Sequence, residues 1–166
     1  MSFAFSADEI FKLAERIEKN GAEFYRRAAE AASCGNAQKV FTELAAMEDA
    51  HEQIFADLRK ELSASEKSSG TFDPEGEAEQ YLASLANSRV FTDPESPLAG
   101  PVTACSDELL KDIYKFALSR EKDSIAFYLG MRDLVATEAG KCKVDDIIRE
   151  EMHHVRTLTE ALSKLS

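Results

Sequence analysis

The 166-residue chain has little cysteine, little basic charge, no long apolar run and proline in one stretch only, and each shortage removes a class of protein. Its three cysteines (Cys34, Cys105, Cys142) are odd in number, far apart and without a CxxC pair. A disulfide framework and a cysteine zinc site are therefore not expected, and a reducing cytoplasm is the default compartment. With 20 Lys+Arg against 31 Asp+Glu, the formal net charge is −11. That acidity argues against non-specific binding to nucleic acid or to an anionic membrane surface. No apolar run approaches the roughly 20 residues that a membrane span needs. The first residues show no basic start followed by an apolar stretch, so no secretory signal is expected. No stretch sustains the apolar/polar alternation of a strand.

What is present is helical composition in two blocks. Residues 7–62 and 107–165 are rich in Ala, Glu, Leu, Lys and Arg, while residues 63–106 hold all four prolines, Pro74, Pro94, Pro97 and Pro101. Start and stop signals divide the blocks into four helices. The first begins at Ser6 or Asp8 as N-cap and ends before Gly35. The second runs from about Asn36 to Leu62. The third starts near Ser106-Asp107-Glu108 and ends before a break at Ala139-Gly140-Lys141, and the fourth runs from about Val144 to the C-terminus. A shorter helical candidate spans Pro74 to about Phe91. Short breaks make two antiparallel hairpins, about 7–62 and 107–165, and the connector at about 63–106 is long enough to cross over along a bundle. The expected fold is all-α: one domain of length 166, an antiparallel four-helix bundle of two hairpins.

The hairpins repeat one another. Glu18-Lys19-Asn20-Gly21-Ala22-Glu23-Phe24-Tyr25 matches Glu121-Lys122-Asp123-Ser124-Ile125-Ala126-Phe127-Tyr128 at an offset of 103. The same offset, without a gap, carries Ile10 to Ile113, Leu44 to Ile147, Glu48 to Glu151, His51 to His154 and Phe55 to Leu158. One offset held over a whole hairpin implies a pseudo-two-fold axis, with equivalent residues meeting at the bundle centre.

Helical phase puts an anomaly on that axis. Leu44, Glu48, His51, Phe55 and Leu58 share one face, as do Ile147, Glu151, His154, Leu158 and Ala161. Glu18 shares a stripe with Ile10, Ala14, Gly21, Tyr25 and Ala28, and Glu121 shares one with Ile113, Ala117, Ser124, Tyr128 and Met131. Four glutamates and two histidines thus fall on faces that should be buried. A buried carboxylate costs several kcal/mol unless it is paired or bound to a cation, and the stripes supply almost no basic partners. Two divalent metals resolve the conflict, since four carboxylates neutralise them and each imidazole adds a nitrogen ligand. In Glu-x-x-His the two side chains stand on one face about 4.5 Å apart in rise, so both reach one metal. One Glu from each of two helices plus Glu-x-x-His from each of two others is the arrangement of carboxylate-bridged dimetal bundles.

Through Glu18…Phe24-Tyr25, Glu48-Asp49-Ala50-His51, Glu121…Phe127-Tyr128 and Glu151-Met152-His153-His154, the chain resembles the rubrerythrin-like branch of the ferritin-like superfamily. The resemblance covers the two hairpins and not the connector. It implies a non-haem di-iron centre, with Glu48 and Glu151 bridging, Glu18 and Glu121 as terminal carboxylates, and His51 and His154 as terminal imidazoles. The implied chemistry is oxidation of Fe(II) by hydrogen peroxide or dioxygen. Rubrerythrins with a C-terminal rubredoxin domain carry two CxxC pairs, which these residues do not contain, so the electron donor is expected to be a separate protein. They also carry a further glutamate where this sequence has Ser124. That glutamate is associated with peroxidase-type metal movement, and a serine argues against efficient peroxide reduction.

Around this set, Tyr25 and Tyr128 are expected to pack in the core with hydroxyls bonding a ligand carboxylate. Gly21 and Ser124 either leave room for solvent or an oxidant, or allow close helix packing. Glu150-x-x-His153 is a competing register, but His153 lies about 120° from the Ile147 stripe and is read as a surface or supporting residue. The cysteines are expected in turns and connectors as incidental thiols. Three functions remain open: a di-iron oxidoreductase, an iron-handling ferroxidase or store, and a non-catalytic bundle clamped by a metal such as zinc. Mn or Zn are possible substitutes for Fe, and a homodimer is the expected assembly.

Overall fold

Four long helices make up most of the described part of the protein, a computed structural model of which describes residues 7–32, 35–62, 96–100, 106–133, 135 and 137–165. They are α1 (Ala7–Ala32), α2 (Gly35–Glu61), α3 (Asp107–Arg132) and α4 (Glu138–Ser163). No strand occurs among the described residues. The fold is the expected all-α bundle. α1 packs chiefly on α2 and α3 on α4, with lighter α1–α3 and α2–α4 contacts.

Local chemistry sets the helix ends. Gly35 opens α2 with φ +81°, a left-handed conformation that a residue without Cβ adopts without strain. Ser106 caps α3, its hydroxyl accepting from the Leu109 N–H at 3.1 Å. Asp8 does not cap α1; it lies inside the first turn, where it pairs with Lys12 at 2.7 Å and with Arg59 of α2 at 2.9 Å. Ser6 and the Pro74–Phe91 helical candidate lie outside the described residues.

The break between the third and fourth helices differs from the sequence expectation. α3 stops at Arg132, and Thr137 caps α4 by accepting from the Gly140 N–H at 3.0 Å. Gly140 is therefore buried in the first turn of a helix rather than marking its end. The glycine is there for space: a Cβ would stand 2.6 Å from Val135 Cγ1 and 3.0 Å from the capping Thr137 Oγ1. Cys142, expected in a turn, is an exposed residue of α4.

The four predicted stripes are the core. Apart from half-buried Ala161, every member of them is buried, including Ile10, Ala14, Phe55, Leu58, Ile113, Ala117, Ile147 and Leu158. Two aromatic layers cross the bundle. In one, Phe41 stacks on Tyr25 at 6.2 Å and meets Tyr114 at 4.9 Å; in the other, Phe55 meets Tyr128 at 5.0 Å and Phe11 at 6.4 Å. The α2 segment between Phe41 and Phe55 carries Glu48 and His51, so those polar groups sit between apolar lids. Such burial contributes roughly 1.5–3 kcal/mol per large side chain. Of the connector, Leu98 is buried, and its carbonyl accepts from the Arg27 guanidinium of α1.

The repeat is imperfect on the outside. Leu129 and Met152, the large apolar side chains left exposed among the described residues, occupy the positions that in the first hairpin hold the Arg26–Asp49 ion pair.

Candidate metal centre

The six residues singled out by phase converge. Glu18 and Glu121 are 0% exposed, Glu48 2%, Glu151 1%, His51 1% and His154 0%. Each helix delivers its groups from mid-length, where helix packing buries them. Among the described residues, no lysine or arginine pairs with any of these carboxylates.

The donor atoms fall into two overlapping sets. Glu18, Glu48, His51 and Glu151 each offer one atom within 4.8 Å of the others, and so do Glu48, Glu121, Glu151 and His154. Glu48 and Glu151 belong to both sets. His51 Nδ1 lies 3.0 Å from Glu151 Oε1 and 3.4 Å from Glu18 Oε2. His154 Nδ1 lies 3.0 Å from Glu151 Oε2, 3.3 Å from Glu48 Oε1 and 3.6 Å from Glu121 Oε2. Glu151 thus spans the two imidazoles, whose ring centroids are 5.7 Å apart.

Several buried acceptors here lack a hydrogen bond: Glu18 Oε2, Glu48 Oε1, Glu121 Oε2 and Glu151 Oε1. Orphaned carboxylate oxygens in a dry core are costly, and a carboxylate/imidazole donor set suits divalent first-row metals. The residues present fit a pair of such ions.

Electrostatics show what the cluster does without a cation. Burial, and then the charges of Glu151 and Glu18, push the Glu48 carboxyl well up. Burial and Glu151 do the same to Glu121. Burial opposes charge on His51, but the adjacent carboxylates of Glu151 and Glu18 outweigh it and hold the imidazolium up to about 11. His154 is likewise held up to about 10, burial being outweighed by the nearby Glu121 carboxylate and the hydrogen bond to Glu151. Burial would raise Glu151 too, yet its close contacts with Glu121, His154 and His51 drive it below the usual carboxylate range. Protons therefore occupy the place of cations.

The tyrosines form a crossed pair. The Tyr25 hydroxyl of α1 donates to Glu121 Oε1 of α3, and the Tyr128 hydroxyl of α3 donates to Glu18 Oε1 of α1. Burial and the neighbouring carboxylates raise both phenols well above their ordinary value, so both remain donors. Gly21 and Ser124 are buried as their stripes require, and the Ser124 hydroxyl has no hydrogen-bond partner. His153 is exposed beside Arg156, at 2.7 Å.

Sequence reasoning weighed Glu150 only in the competing Glu150-x-x-His153 register and missed its contact with His51. His51 Nε2–H donates to Glu150 Oε2 at 3.0 Å, and the accepting carboxylate is half exposed. The internal repeat hides this partner, because the equivalent position in the first hairpin is Met47.

With this geometry in view, comparison with known proteins places the chain. The family model described as Rubrerythrin matches residues 9–92, about half of the chain. The chain belongs to the rubrerythrin family. The match covers the first hairpin and runs into the connector. Over both hairpins the chain is similar to a solved structure from Thermotoga maritima, described as a ferritin-like diiron-carboxylate protein. That structure is 26% identical, covers 100% of each chain and superposes with a TM-score of 0.75. No curated protein matches the chain. This rubrerythrin-family protein has a buried carboxylate/histidine cluster of the diiron-carboxylate kind, and no described helix is long and apolar enough to cross a membrane.

Proposed function

We propose that the protein is a non-haem di-iron oxidoreductase in which Fe(II) reduces dioxygen or hydrogen peroxide. The observation that carries this reading is the pair of four-residue donor sets sharing Glu48 and Glu151. A structural clamp needs one closed tetrahedral site of four ligands, whereas two sets joined by two shared carboxylates suit two adjacent ions. When bound, two Fe(II) ions supply one electron each to the oxidant.

The chain's own groups do the rest. Glu48 and Glu151 would serve both ions, Glu18 and His51 would complete the donor set of one, and Glu121 and His154 that of the other. Tyr25 and Tyr128 hold the terminal carboxylates Glu121 and Glu18. The aromatic layers around Phe41 and Phe55 keep bulk water out. Tight ligation requires His51 and His154 to give up the protons they hold in the metal-free cluster. Electrons return to the centre from a separate donor protein, and the protein acts as a homodimer.

Ser124 favours a second reading within the same chemistry. It stands where peroxide-reducing rubrerythrins carry a further glutamate, so dioxygen-driven ferroxidase activity or iron handling is favoured over peroxide turnover. Anaerobic loading followed by stopped-flow mixing tests both readings. The expected result is two irons per chain, with absorbance of ferric product appearing on adding oxidant and faster with dioxygen than with peroxide. Two bound irons that neither oxidant changes would sink the redox reading; faster reaction with peroxide would sink the role given to Ser124. Metal analysis of protein purified without added metal separates Fe from Mn or Zn.

A further inference from the structure

The internal repeat makes the two imidazoles equivalent in position, but not in their hydrogen bonds: His154 Nδ1 is bonded to Glu151 at 3.0 Å, while His51 Nδ1 faces its carboxylates without such a bond. Each stands on the Glu-x-x-His face of its helix, each is buried, and each turns Nδ1 toward the carboxylates. Their far nitrogens differ. His51 Nε2–H donates to Glu150 at 3.0 Å, whereas His154 Nε2 has no hydrogen-bond partner among the described residues. The cause lies in sequence: the residue before the bridging Glu151 is Glu150, and the residue before Glu48 is Met47.

We propose that Glu150 is a positioning residue that makes the two metal positions unequal, with the position built on His51 and Glu18 filling first and holding its ion more tightly. This rests on the di-metal reading above. A carboxylate accepting from Nε2–H fixes the tautomer that leaves the Nδ1 lone pair free, locks the ring orientation and makes the ligating nitrogen more basic. His154 lacks that support, so its ring orientation is set by packing and by the carboxylates at Nδ1. Glu150 is placed to act without being a ligand. Its side chain is half exposed and lines a surface pocket of about 310 Å³ with Ile54, Asp57, Lys143 and Asp146. One end of the His51–Glu150 pair therefore lies in the dry cluster and the other at solvent.

Stepwise titration of the metal-free full chain with Co(II) tests this, followed by visible absorption and calorimetry. The wild type is expected to bind two ions in two resolved steps. Glu150→Ala is expected to weaken the first step about 10–100-fold and leave the second unchanged. Glu150→Gln, which keeps an acceptor at Nε2–H without the charge, is expected to recover part of the loss; a merely structural surface role predicts no such recovery. In the paramagnetic spectrum of the Co(II) protein, one imidazole N–H resonance should move in Glu150→Ala and the other stay. Circular dichroism and the melting temperature confirm that each variant is folded, which an exposed site favours. Unchanged binding in a folded Glu150→Ala protein, or equal weakening of both steps, would overturn the inference while leaving the di-metal reading intact. A wild type that fails to take up two ions would instead overturn that reading.

Discussion

Tyr25 on α1 donates its hydroxyl proton to Glu121 on α3, and the repeat returns the contact as Tyr128 donating to Glu18. These bonds tie the two hairpins together across the bundle at the level of the cluster. Each replaces, for one carboxylate oxygen, the water that burial removed.

Tyr25→Phe should therefore cost stability without changing the fold. Removing the donor leaves a buried acceptor unsatisfied, a loss of about 1–3 kcal/mol. Tyr128→Phe should behave alike. Thermal melts of both variants, metal-free and loaded, check this. An unchanged melting temperature in both would show that the crossed pair contributes nothing.

The shared carboxylates should matter more for stoichiometry than the terminal ones. Glu48→Gln is expected to abolish binding of the ion pair, while Glu18→Gln should leave one ion bound beside Glu121 and His154. Equilibrium dialysis with metal analysis distinguishes these outcomes. Without metal the sign reverses: Glu48 is crowded by Glu151, Glu18 and Glu121. A neutral isostere there should raise the metal-free melting temperature, stability being exchanged for function.

The imidazoles set a pH dependence. His51 and His154 are held up to about 11 and about 10 in the folded chain, against an ordinary value near 6.5. Between those limits the folded state binds more protons than the unfolded state, so this contribution is fully present below about pH 6.5 and is lost as pH rises toward about 10–11. The melting temperature of metal-free protein should thus fall on going alkaline, while metal uptake near neutral pH releases both imidazole protons. Calorimetry in buffers of different ionisation enthalpy reads the release; identical heats in all of them would contradict it.

Gly140→Ala should destabilise the second hairpin. The added methyl meets Val135 Cγ1 at 2.6 Å beside the Thr137 cap, and overpacking of this kind costs about 1–3 kcal/mol. A melting temperature equal to or above that of the wild type would show that the 133–137 turn yields freely.

How much of this was legible beforehand depends on the range of the interaction. Helical phase put Glu18, Glu48, His51, Glu121, Glu151 and His154 on buried faces, and the repeat at offset 103 paired them, because both signals are periodic in sequence. The Ser106 cap was readable for the same local reason. The break at Gly140 was misread, because glycine marks both helix ends and tight packing, and only the position of Val135 tells them apart.

By itself, then, the sequence determined the helices, the apolar stripes and the six polar residues stranded on them. Tertiary structure decided how those residues divide. It made Glu48 and Glu151 common to two donor sets, crossed the tyrosines between hairpins, and set Glu150 on Nε2 of one imidazole and no described residue on Nε2 of the other. The physical reason is that a residue's phase states which way it faces, whereas the partner it meets depends on the axial offset and tilt of another helix. Those follow from how the large side chains of both interlock.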